Sequence, residues 1–212
     1  MNIIVSDQNG HYYFRPNNTL IKESKDYYLP SIIEYLELTP AIVIRIDRAA
    51  KGLSRQFAHR YISQYSYGML IYPQVKEQYF NPDQIVIYEK AYRIEKFRPF
   101  FFRETLKTTL DSTTYISDNF FPMDEIKQEE RGVSLTIGKH IYRHKVPPSN
   151  LLKDKIFELM ENITTLSSLK TGDLLFLELE PETENQTPKA RQYSDILLSS
   201  SDKGKIMTIT IR

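Results

Sequence analysis

No cysteine occurs among the 212 residues. Disulfides, thiolate metal sites and a cysteine nucleophile are excluded at once, and the absence suits a reducing cytoplasm, the expected location. An excess of charge of either sign is lacking too. Lys plus Arg number 28 and Asp plus Glu 27, a formal net charge of +1. At that balance nothing draws the chain as a whole toward nucleic acid, a membrane surface or an acidic ligand. No stretch approaches the roughly 18 apolar residues that a membrane span needs. The opening "MNIIVSDQNG" has neither a basic region nor a long apolar run, so no secretory signal is expected. The Asn-x-Ser/Thr triplets at Asn17, Asn162 and Asn185 then stand as chance. Also missing are the G-x-S-x-G nucleophile turn, the P-loop and the dinucleotide fingerprint.

What is there is a core. Hydrophobic residues make up 41% of the chain, enough for one sizeable domain over residues 1–212, with residues 1–30 as a short N-terminal hairpin region. "NIIVSDQNGHYYF" gives two β-rich runs around Asn9-Gly10, a pair that tolerates the positive φ angles of a tight turn. "IKESKDYYLP" reads as another short strand. Ala41 to Ile46 is a nearly continuous apolar run, the pattern of a strand covered on both faces. Beyond Gly52, Ser54 is placed to cap a helix, and Leu53, Phe57, Tyr61 and Tyr65 recur every fourth residue as its apolar stripe. Gly68 and Pro73 mark its exit. "VSLTIGKHIYRHKV" reads as a hairpin turning at Gly138. Asn150 is placed to cap a second helix whose buried face carries Leu152, Ile156, Leu159, Met160 and Ile163. "LKTGDLLFLEL" is a turn and a buried strand, "PETENQTPKARQ" a polar loop, and "KIMTITIR" a closing strand. The expected class is α+β, strand-rich, with two main helices.

Few residues suggest chemistry by themselves. His140 and His144 form H-x-x-x-H, which on a helix could share a metal ion. Their neighbours alternate as in a strand, where four residues span roughly 13 Å, so they read as ordinary surface histidines. "YEKAYRIEKFRPFFFRETLK" mixes basic and aromatic residues as a single-strand nucleic-acid groove does. Glu89, Glu95 and Glu104 interrupt it, and packed aromatics with a solvated rim are the better reading. "DEIKQEER" reads as a solvated loop or helix face.

Taken together, "YFRPNNTL", "AIVIRIDRAAKGLSRQFAHRYISQYSYGM", "LTIGKHIYRHKV" and "SSLKTGDLLFLELEP" resemble the fumarylacetoacetate hydrolase family, in family order. The last is similar to its Leu-Lys-x-Gly-Asp-Leu-Ile-Phe-Thr-Gly-Thr-Pro stretch. The resemblance implies a mixed β-sheet roll or sandwich of the family's C-terminal type and a homodimer. Its members hydrolyse, decarboxylate or isomerise acylpyruvate-like diketo acids. They use Mg²⁺ or Mn²⁺ held on Glu-x-Glu and a later Asp, because a hard divalent ion requires oxygen ligands and stabilises the enolate that forms.

At the positions that should carry this chemistry the sequence departs. The two glutamates fall on Thr39 and Ala41, the aspartate on Leu70, and a substrate-contacting threonine on Leu177. The family's N-terminal lid has no counterpart. "YEKAY" overlays the catalytic lysine segment and makes Lys90 a candidate remnant, against the competing reading of a solvent-facing strand lysine. Glu34 and Glu37 lie nearby but, three apart on a strand, face opposite sides. The expectation is a divergent member without metal or other cofactor. It would act as a binding or interaction module for an unidentified small-molecule or protein ligand, with no role for nucleic acid or membrane. The alternative is an active Mg²⁺- or Mn²⁺-dependent hydrolase, decarboxylase or isomerase.

Overall fold

Asp7 explains why the first hairpin turns where it does. Its Oδ1 accepts the backbone N–H groups of Asn9 and His11, both at 2.9 Å, and Gly10 takes the left-handed φ of +83° that the turn needs. The flanking runs become antiparallel strands β1 (Ile3–Ser6) and β2 (Tyr12–Arg15). This structure, a computed structural model, describes residues 1–22, 25–77, 105–126, 131–183 and 187–212.

The centre of the molecule is a pair of long antiparallel strands. β3 (Leu20–Lys22) leads toward β4 (Ile33–Ile46), which pairs along its length with β5 (Ile62–Val75), each of 14 residues. The helix expected through Leu53, Phe57, Tyr61 and Tyr65 does not form as such. A 3-10 helix covers Arg55–Tyr61, and at Ile62 the chain enters β5. The fourfold spacing of tyrosines misled. Tyr65, Tyr67, Met69 and Ile71 join one apolar cluster and Leu70, between them, another, as in a strand covered on both faces, and pairing with β4 wins. Gly68 and Pro73 are therefore not exit signals but interior positions of β5, opposite Ala41 and Leu36. Ser54 occupies the N-cap of the 3-10 helix, yet its side chain makes no capping bond.

Further along come β6 (Thr114–Ile116), β7 (Phe121–Pro122), β8 (Arg131–Ile137) and β9 (His140–Val146). The hairpin at Gly138, with φ +57°, forms as read. The helix α1 (Ser149–Leu166) follows, with all five expected apolar residues buried. Pro148, not Asn150, stands at its N-cap, and no side chain caps it. Strands β10 (Leu174–Glu178), β11 (Glu180–Pro181), β12 (Lys189–Ala190), β13 (Asp195–Ser200) and β14 (Gly204–Thr210) complete the chain.

The strands form two sheets. One is mixed and runs β2-β1-β10-β4-β5-β6-β3, with β12 and β7 attached to β4 and β5; β1–β10 and β3–β6 are its parallel pairs. The other runs β11-β9-β8-β13-β14. One face of the mixed sheet joins the second sheet and α1 in the main core, around Ile42, Ile44, Tyr65, Leu135, Ile156 and Leu198. Its other face carries a smaller apolar cluster, and that face holds the positions of interest.

Candidate functional site

Register decides which side chains meet. Thr39 lies directly across from Leu70, and Ala41 across from Gly68. Directly paired residues point to the same side of a sheet, as do residues two apart on one strand. Thr39, Ala41 and Leu70, the positions where the sequence resemblance leads one to expect the family's metal ligands, therefore share one face. Ala41 and Leu70 have no exposure and pack with Ile3, Val5, Val43 and Phe176. Packing here is tight: a Cβ on Gly68 would lie 2.7 Å from Phe176 Cε1, Val43 Cγ2 and the Tyr115 carbonyl oxygen. A methyl group, an isobutyl group and the hydroxyl of half-buried Thr39 do not fit a hard divalent ion, which needs several oxygen donors and negative charge. Among the described residues no group of three or more His, Asp or Glu is arranged to hold a metal.

The same face carries a polar chain that the sequence reading did not single out. Glu178 pairs with Ala41 and so points to Ala41's side. Its Oε1 accepts the hydroxyl of Tyr72, which stands on β5 opposite Glu37. With its only proton so used, Tyr72 accepts in turn from Tyr13 at 2.6 Å. Arg15, on the next position of β2 with this orientation, lies with its guanidinium carbon 4.6 Å from the Tyr72 ring centroid. Its Nη1 donates to the Thr113 carbonyl at 3.0 Å and the Thr114 hydroxyl at 3.1 Å, and Nη2 to the Ile71 and Lys107 carbonyls at 3.4 Å. Arg15 Nε has no partner.

The electrostatics follow from burial. Loss of water raises the Glu178 pKa, against the Tyr72 hydrogen bond and the charge of Arg15, which favour the carboxylate. Burial also raises the Tyr72 hydroxyl well above its ordinary value, and the Glu178 charge adds to this. Tyr13 is raised for the same first reason. The signal for this chain was present in "LLFLE", where Leu174, Phe176 and Glu178 fall on one side of a strand, but two apolar residues and one acid do not announce a site.

Leu177 does not join these residues. It pairs with Ile42 and points to the opposite face, where it is buried in the main core and lines a cavity of about 290 Å³ between the Asp7–Gly10 turn, α1 and the end of β10. Lys90 lies outside the described residues. Glu37 shares the face of Thr39 and accepts from Gln74 Nε2 at 2.9 Å, while Glu34 is exposed.

Other readings need correction. His140, at the hairpin end of β9, is exposed as expected, but His144, further along the same side between half-buried Tyr142 and buried Val146, is buried at 2%. "DEIKQEER" is not simply solvated, since Ile126 and Arg131 are buried at its centre and end. The turn Lys170 to Asp173 is architectural. Buried Asp173 accepts the Asn2 and Lys170 backbone N–H groups at 2.6 and 2.8 Å and the Asn2 side-chain amide at 3.0 Å, fixing β1 beside β10.

No protein-family model matches the chain, and no curated protein does. Solved structures do. A protein ascribed to the fumarylacetoacetate hydrolase family from Yersinia pestis CO92 superposes with a TM-score of 0.66 at 14% identity, over 100% of this chain and 92% of its own. The 5-carboxymethyl-2-hydroxymuconate delta-isomerase of Mycobacterium smegmatis gives 0.67 at 14%, over 99% and 76%. A fumarylpyruvate hydrolase from Pseudomonas aeruginosa, in complex with Mn²⁺ and pyruvate, gives 0.69 at 11%, over 100% and 89%. The two long strands, the β8–β9 hairpin, α1 and the Asp173 turn are thus arranged in the fold of the fumarylacetoacetate hydrolase family.

Proposed function

We propose that this chain is a divergent fumarylacetoacetate hydrolase-family protein that has lost the metal-dependent reaction and keeps its frame as a binding module. The observation that carries the reading is the packing of Ala41 and Leu70. Both are fully buried in one apolar cluster, beside Thr39, on a face closed by Phe176 and Val43. Three carboxylates there without an ion would repel one another and each lose hydration; small and apolar residues remove that cost and let the space close. A second change agrees. In the family pattern Phe-Thr-Gly-Thr-Pro, the glycine position falls on Glu178, whose side chain reaches Tyr72 where a glycine leaves space. The Pseudomonas aeruginosa hydrolase was solved with Mn²⁺ and pyruvate. In our reading the three aligned positions here offer such an ion no carboxylate.

Calorimetry with Mn²⁺ tests the proposal. No saturable site of micromolar affinity is expected, and no metal-dependent turnover of acylpyruvates or oxaloacetate. Clear turnover by the unmodified chain overturns it. The combined variant Thr39→Glu, Ala41→Glu, Leu70→Asp is expected to gain weak Mn²⁺ binding. Leu70→Asp alone is expected to destabilise the fold by several kcal/mol, about the cost of an unpaired buried charge, read as a lower urea midpoint.

A further inference from the structure

We infer that the groove where the loop after β4 enters the 3-10 helix binds a phosphate monoester carried on a flat ring, held by Lys51 and Arg60. The inference goes beyond the loss of metal chemistry and does not depend on it, since neither Thr39, Ala41 nor Leu70 lines the groove. The chain as a whole is nearly neutral, yet residues 48–61, "RAAKGLSRQFAHRY", hold four Lys and Arg and no Asp or Glu. The fold uses the four differently. Arg55 turns to α1, where Asp154 and Glu158 lie 3.5 and 3.7 Å from its guanidinium. Arg48 is exposed and stands outside the groove. Lys51 and Arg60 both line the groove, which holds about 360 Å³, and neither meets a carboxylate among the described residues. That space is on the order of twelve waters at about 30 Å³ each.

The rest of the lining suits a ring. Phe57 is 41% exposed, and half-buried Tyr61 and buried Leu53 continue the apolar wall. The Arg60 guanidinium carbon lies 4.9 Å from the Phe57 ring centroid, a contact that orients the fork without neutralising it. Ser54 lines the groove with a hydroxyl that makes no capping bond. The walls are fixed in place. The Gly52 and Leu53 N–H groups donate to the Thr164 carbonyl and hydroxyl on α1 at 2.9 and 3.0 Å, and the Arg55 N–H to Glu161 Oε1 at 3.1 Å. Two cations that face no acid call for two negative charges. A phosphate monoester carries close to two near pH 7. A guanidinium can grip two of its oxygens and an ammonium the third, while the ring covers Phe57 and Tyr61. A carboxylate or a sulfate ester balances only one of the two cations, so each is the poorer match.

The test uses the full chain at neutral pH and low ionic strength, with phenyl phosphate, phenyl sulfate, inorganic phosphate and phenol as probes. Amide chemical shifts are followed by NMR. Saturable shifts at Leu53, Phe57 and Arg60 are expected with phenyl phosphate, with clearly weaker binding of phenyl sulfate and inorganic phosphate and none of phenol. Lys51→Ala and Arg60→Ala should each weaken phenyl phosphate about fivefold, and Phe57→Ala should bring it down to the level of inorganic phosphate. Arg48→Ala, which removes a cation of the same run outside the groove, should leave binding unchanged. All four side chains are exposed, so the variants spare the core. No saturable shift with phenyl phosphate, equal binding of phenyl sulfate or inorganic phosphate, or as large a loss in Arg48→Ala as in Lys51→Ala overturns the inference.

Discussion

His144 occupies a core position on β9 with Nδ1 unpartnered. Burial holds its pKa down to about 4, against an opposing backbone contact at Tyr142. The unfolded imidazole titrates near 6.5. Between those values the unfolded chain binds the proton and the folded one does not, so stability is complete above about pH 6.5 and falls as pH drops toward 4. A shift of this size corresponds to roughly 3 kcal/mol. Urea denaturation between pH 7 and 4 should therefore show a loss that is smaller by about that amount in His144→Leu. Equal acid sensitivity of the two proteins would mean that the imidazole reaches water. The Tyr13–Tyr72–Glu178 chain makes an ordered prediction of the same kind. Tyr72→Phe leaves a buried carboxylate oxygen and the Tyr13 hydroxyl without partners and should cost about 1–3 kcal/mol, whereas Tyr13→Phe removes only the outer donor and should cost nearer 1 kcal/mol. A reversed order would show that the chain runs the other way.

Among the elements, β5 is the one on which the rest align, and Gly68 lies at its tightest point. A Cβ there meets two side chains and a backbone carbonyl at 2.7 Å. The carbonyl belongs to Tyr115 on the neighbouring strand and cannot swing aside as a side chain does. Gly68→Ala should cost about 1–3 kcal/mol by overpacking, seen as a lower thermal midpoint with unchanged circular dichroism. β5 also shows what the sequence could and could not disclose. The hairpins at Gly10 and Gly138 and the buried face of α1 were legible because turn chemistry and period are local. The helix read through Tyr65 was not a strand on local evidence, since fourfold and twofold spacings overlap wherever tyrosines crowd. Only pairing with β4, where Ile44 lies opposite Tyr65, decides it. Likewise Thr39 and Ala41 could be placed on one face from strand parity, but Leu70 joins them only through the β4–β5 register, and Glu178 could not be added to them. Its place opposite Ala41 depends on a strand that returns from the far end of the chain, and long-range register leaves no local mark.

At the scale of the whole molecule, two sheets must stay docked, and two tyrosines of β5 reach across to a buried ion pair inside the second sheet. Arg131 on β8 donates Nη1 to Asp202 in the turn before β14 and, at 3.5 Å, to the Tyr65 hydroxyl on β5. Tyr67, also on β5, donates to Asp202 at 3.0 Å and accepts from Ser200 at 3.2 Å. The side chains of the pair are only 4% and 6% exposed, and Arg131 Nη2 and Nε have no partner. Such a pair fixes the β13–β14 turn against β8, and so what Tyr65 and Tyr67 meet, more than it adds net stability, because desolvation offsets the Coulomb attraction. Removing one partner is a different matter, since a cation is then left buried. Asp202→Ala should lose about 3–5 kcal/mol, and Arg131→Met a comparable amount, while Arg131→Met with Asp202→Leu should recover most of the loss. The cycle is read from urea midpoints and slopes of the four proteins. Recovery in the double variant with an unchanged slope would identify the pair as a device that fixes the β13–β14 turn against β8. Additive losses would mean that Tyr65, Tyr67 and Ser200 draw their positions from it, and that the junction is a single polar network rather than one pair.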